Sequence, residues 1–112
     1  MARRISWITA ALKDFQEFPE AVQDQMTTAL RLAALGEKAD KAKPLRGLGS
    51  GIFEMALAYR GNAYRTVYAV QMGEDVWAVH AFQKKSTRGM KTSKADIDLI
   101  RERLKRLREM LS

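Results

Sequence analysis

The sequence contains no cysteine, so disulfide bonds and thiolate metal sites are excluded. It has one histidine, His80, which rules out a ribonuclease built on two histidines. No His, Asp or Glu cluster has ligand spacing, so neither a metal nor another cofactor is expected. Neither G-x-x-x-x-G-K-[ST] nor G-x-G-x-x-G occurs, which removes the usual motifs for nucleotide phosphates. Apolar runs are short. The start, Met1-Ala2-Arg3-Arg4-Ile5-Ser6-Trp7, is not expected to be a signal peptide, and nothing approaches the roughly 18 apolar residues of a membrane span. A cytoplasmic protein that does not enter membranes is expected.

What is present is positive charge. Twenty lysines and arginines face thirteen acids, a net charge of +7 over 112 residues. That balance favours a polyanionic partner: RNA, DNA, an acidic protein or an anionic surface. The length and the 46% hydrophobic content suit one globular domain over residues 1–112.

The periodicity predicts a short first strand over Arg4–Ile8, then a helix capped by Thr9 with Leu12 and Phe15 facing inward. Pro19 opens a second helix, with Val22, Met26, Leu30 and Ala33 at helical spacing and Gly36 as its stop. These two form a helical hairpin. Residues 37–51 read as a polar loop. Phe53, Met55, Leu57 and Tyr59 then alternate with Glu54, Ala56, Ala58 and Arg60, a half-buried strand. Gly61-Asn62 signals a tight hairpin into a strand from Ala63 to Met72, and Gly73-Glu74 leads to another from Val76 to Gln83. Ser93 and Asp96 resemble a capping box. The stripe Ile97, Ile100, Leu104, Leu107 and Leu111 makes a final helix with a basic outer face. The order β-α-α-β-β-β-α implies an α+β fold, with an antiparallel-dominated four-stranded sheet and helices on one face.

Between Lys84 and Lys94 stand five cations (Lys84, Lys85, Arg88, Lys91, Lys94) and no acid. They follow a strand ending at Phe82. An aromatic ring beside such cations can stack a base while the phosphates are held, which suits single-stranded nucleic acid. The alternative is that Phe82 belongs to the core and the lysines to a solvated loop. Arg65 lies in mid-strand, where an arginine needs a partner such as Glu54 or a polar site to face. Strict alternation places Tyr64 and Tyr68 on the face opposite Arg65, one face being core and the other a working surface. Lys43 and Arg46 can extend that surface. His80 is a titratable candidate on the neighbouring strand.

Three stretches carry a family resemblance. They are Gly51-Ile52-Phe53-Glu54-Met55, then Gly61-Asn62-Ala63-Tyr64-Arg65-Thr66-Val67-Tyr68-Ala69, then Val79-His80-Ala81-Phe82-Gln83-Lys84-Lys85-Ser86. Together with Thr92–Ile97 they resemble the RelE/ParE toxin superfamily, and within it the HigB-like, phage-derived branch of type II toxin–antitoxin systems. The resemblance implies a compact toxin fold and, as partner, a cognate antitoxin of helix-turn-helix type. It implies metal-independent cleavage of mRNA on the ribosome, with Arg65, Lys84 and Lys85 as catalytic cations and His80 in reserve. Phe82, Lys43, Arg46, Arg88, Lys91 and Lys94 would hold RNA. The alternatives are a ParE-like poison of DNA gyrase and a degenerate, non-catalytic RNA-binding homologue. At one position the chain departs from the pattern: Ala56 stands where family members commonly carry an arginine.

Overall fold

The structure is a computed structural model that describes residues 2–84 and 91–112. The elements run β1 (Ile5–Trp7), α1 (Thr9–Phe15), α2 (Glu20–Ala34), β2 (Ala42–Pro44), β3 (Ile52–Tyr59), β4 (Asn62–Met72), β5 (Asp75–Lys84) and α3 (Lys94–Leu111). The expected α+β architecture is present, with two corrections.

First, the sheet has five strands among the described residues, in the order β1-β5-β4-β3-β2. The added strand, β2, lies inside the stretch read as a polar loop. Its three residues are too few to show a period, and Pro44 is tolerated because β2 lies at the sheet edge. β1 pairs in parallel with β5, while the other pairings are antiparallel.

Second, helices cover both faces of the sheet. α2 and the end of α1 pack on Met55, Leu57, Tyr64, Tyr68, Val76, Ala78 and Ala81. α3 packs on the other face, its Ile100, Leu104 and Leu107 against Val67, Ala69 and Val79. Every residue of β4 from Ala63 to Ala69 is consequently buried. The alternation of polar and apolar residues had suggested one solvated face. In fact Arg65, Thr66 and His80 are polar residues enclosed by packing.

Smaller differences follow local chemistry. Thr9 is the first helical residue and not the cap. Ile8 takes the cap position, with no side-chain hydrogen bond. The hairpin turn falls at Arg60-Gly61, because Tyr59 pairs with Asn62. Both turn residues have positive φ (50° and 81°), as a type I′ turn requires. Ser93 caps α3 as expected: the Asp96 amide donates to Ser93 Oγ at 3.1 Å. At the far end of α3 the stripe runs out, and Leu111 is exposed.

Candidate functional site

The antiparallel register assembles a row of side chains on the α3 side of the sheet. Ala56 stands opposite Arg65, and Arg65 opposite Phe82. One step along, Glu54 stands opposite Val67, and Val67 opposite His80. Lys43 on β2 stands opposite Glu54. A bulge in β5 is what brings His80 into this row. Val67 pairs with His80 but Tyr68 pairs with Ala78, so Val79 is the extra residue. Val79 and His80 therefore both reach towards α3.

Arg65 is 4% exposed and donates from Nη1 to Glu54 Oε1 at 2.5 Å. The partner expected from hairpin arithmetic is thus the observed one, although Arg65 reaches it diagonally past Ala56. The second oxygen, Glu54 Oε2, accepts from the hydroxyl of Thr92, across 38 positions of sequence. Lys84 Nζ donates to the Lys91 carbonyl, so both of these residues stand at this edge. Lys94 is exposed on the first turn of α3.

Beside this pair the sheet is hollowed. A cleft of about 340 Å³ is lined by Asp40, Lys41, Lys43, Glu54, Ala56 and Arg65. The edge strand missed in the sequence therefore supplies one wall. Arg46 does not line this cleft. It precedes Leu48, whose carbonyl accepts from Arg108 near the other end of α3. Lys85 and Arg88 lie outside the described residues.

His80 is 3% exposed and held at both ring nitrogens. Nδ1 faces Arg103 Nη1 at 3.0 Å, and Nε2 faces Asp96 Oδ1 at 2.8 Å. A guanidinium can only donate, so Nδ1 accepts, and Nε2 carries the proton given to Asp96. The ring stacks on Phe82, centroids 4.8 Å apart. Phe82 is half-buried against the α3-side core, which places it between the two readings offered by the sequence. Arg103 also donates to the Val79 carbonyl at 3.0 Å, fastening α3 to the bulge. Burial lowers its pKa below the usual guanidinium range.

The pKa of Asp96 results from opposed effects. Burial pushes it up. Hydrogen bonds from Ser93 and His80, with the electrostatic influence of His80 and Lys84, outweigh burial and leave it below the ordinary aspartate value. A lowered carboxylate pKa stabilises the fold above the unfolded value of about 3.9, and that stabilisation is lost as pH falls through the folded value. The wild type should therefore lose more thermal stability than Asp96→Asn between pH 6 and pH 3. Melting curves of both proteins at the two pH values measure this; equal losses would dissociate the aspartate from acid sensitivity.

Thr92, Asp96, Arg103, Lys41 and Asp40 were not singled out as site residues in the sequence. Among the described residues, no three His, Asp or Glu side chains converge as metal ligands, and no helix is long and apolar enough to cross a membrane.

Comparison with known proteins gives a consistent result. Residues 13–105 match the family described as phage-derived protein Gp49-like. Among solved structures, a double mutant of the Escherichia coli toxin RelE in the free state superposes with a TM-score of 0.63 at 21% identity, covering 95% of this chain and 98% of that one. The isolated E. coli RelE toxin gives a TM-score of 0.59 at 20% identity, covering 90% and 98%. At these identities the likeness is one of fold. No curated protein sequence matches.

Proposed function

Because the chain belongs to the phage-derived Gp49-like family and has the fold of the RelE toxins, we propose that it is the toxin of a toxin–antitoxin pair and cuts mRNA on the ribosome without a metal. The observation that carries this reading is the buried Arg65–Glu54 pair at the head of a cleft edged by lysines. Such a cleft offers a phosphate a guanidinium fork, a proton acceptor and further cations in one place.

Strand scission requires the 2′-hydroxyl to lose its proton and attack the adjoining phosphorus. The bond to the 5′-oxygen then breaks, that oxygen takes up a proton, and a 2′,3′-cyclic phosphate remains. Arg65 is assigned to the phosphate oxygens. Glu54 is assigned as proton acceptor, since each carboxylate oxygen has a lone pair beyond those engaged by Arg65 and Thr92. Lys84 and Lys85 stabilise charge on phosphorus or protonate the leaving oxygen. His80 serves as acid or base only after Asp96 or Arg103 releases a ring nitrogen. As placed, it holds Phe82, a half-buried ring offered to a stacking base. Lys91, Lys94 and Arg88 hold the RNA backbone. Positioning by the ribosome supplies much of the rate. The partner is a cognate antitoxin, of helix-turn-helix type by the family resemblance, and the site of action is the cytoplasm.

Induced expression of the wild type should arrest growth and produce cuts within translated mRNA, mapped by primer extension. Lys84→Ala/Lys85→Ala should lower cutting by at least tenfold while the protein stays folded. Arrest with intact mRNA and broken DNA would transfer the case to gyrase. RNA binding without cutting would identify a non-catalytic homologue.

A further inference from the structure

The cleft floored by Ala56 runs on from the proposed phosphate clamp, and the residue roles above assign nothing to Asp40, Lys41, Lys43 or Ala56, which line it. Its walls come from different strands. Arg65 stands on β4, Ala56 opposite it on β3, and Lys43 on β2 opposite Glu54. Neighbouring strands are about 4.8 Å apart, so β2 lies roughly 10 Å from β4. Three cations, Arg65, Lys41 and Lys43, flank this span, with the small alanine side chain between them. Against these three cations the lining sets two acids, Asp40 and Glu54, which leaves the cleft a net charge of +1. The volume of about 340 Å³ lies within the range of small-ligand pockets and exceeds the needs of a lone phosphate.

We propose that this cleft is a nucleotide subsite. It seats the nucleotide next to the scissile bond over Ala56, with one phosphate at Arg65 and the adjoining phosphate at Lys41 and Lys43. The inference rests on the endoribonuclease reading and adds a substrate contact to it. A path from β4 to β2 is one that consecutive phosphates of an extended single strand can bridge. A duplex would present a second backbone for which the cleft has no wall. Asp40 fits the same occupant: a carboxylate only accepts, and a ribose hydroxyl or exocyclic amino group gives it a donor. Ala56 is then the residue that admits the nucleotide, and β2 the element that holds its phosphate.

The test uses the whole chain and a fluorescent single-stranded hexaribonucleotide, with anisotropy titrations at several salt concentrations, alongside mRNA cutting in a translation extract. Lys41→Ala/Lys43→Ala removes two exposed side chains, so folding is unaffected. It should lower the slope of log affinity against log salt by roughly 1.4, the value for two lost phosphate contacts on a single strand. Ala56→Phe fills the cleft without removing charge. It should weaken binding about tenfold with the slope unchanged, its folding checked by melting. If the wild type cuts mRNA while the lysine variant keeps wild-type slope, affinity and cutting, the subsite is overturned and the nuclease reading stands. A wild type that binds but does not cut overturns the nuclease reading, and with it a subsite defined by a scissile bond. A wild type that does neither overturns both.

Discussion

Arg65→Ala should abolish mRNA cutting and relieve growth arrest, and it should also lower the unfolding free energy by about 3–5 kcal/mol. The two effects share one cause. Arg65 is 4% exposed and its ion-pair partner Glu54 is itself largely buried, so removing the guanidinium strands a carboxylate in the packed interior. Loss of activity alone would therefore be ambiguous, because a partly unfolded protein is also inactive. Arg65→Met/Glu54→Leu resolves this. It replaces the pair with apolar side chains of similar length, which typically restores stability, while supplying neither a phosphate ligand nor a proton acceptor. Urea denaturation should place the double variant within about 1 kcal/mol of the wild type, with no cutting of mRNA. A stable double variant that still cuts would remove Arg65 and Glu54 from the chemistry.

The second large effect is on the attachment of α3. Leu104 is 1% exposed and packs with Ile100, Leu107, Val67 and Val79. Leu104→Ala deletes that contact and leaves a cavity, at a cost of about 2–5 kcal/mol. For a chain of this size the melting temperature should fall by roughly 10–25 °C. Activity at permissive temperature should fall as well, because α3 also carries Asp96 and Arg103, which hold His80 and hence Phe82. Calorimetry measures the first effect and cutting assays at two temperatures the second. Full activity with a loosened α3 would show that the helix is no part of the site's support.

The helices and the three long strands were legible because their apolar residues repeat at 3.6 or 2 over seven or more positions. β2 was not, since three residues with a proline carry no period. The double-sided burial of β4 was concealed by Arg65, which marked its face as a working surface and is enclosed instead. At the site, Glu54 could be inferred from the hairpin even though the turn lies one residue earlier than expected. The partners of His80 could not. Asp96 and Arg103 approach it from 16 and 23 positions away, on a helix whose docking face had to be known first. The bulge at Val79 is equally invisible in the sequence, yet it decides which way His80 points.

The parallel pairing of β1 with β5 has a kinetic consequence. Arg3 donates to the carbonyls of Glu74 and Asp75, 71 and 72 positions away, and Ile5 registers with Val76. The β3–β4–β5 meander needs only tight turns to form. Docking of β1 must meet the entropy of closing a loop an order of magnitude longer, for the return of three paired residues. During synthesis, β1 and both helices of the hairpin leave the ribosome long before β5 exists to receive them. The row of Glu54, Ala56, Arg65, Phe82 and His80 spans β3 to β5 and is backed by α3, so the candidate site does not exist in the nascent chain until those later elements have been made.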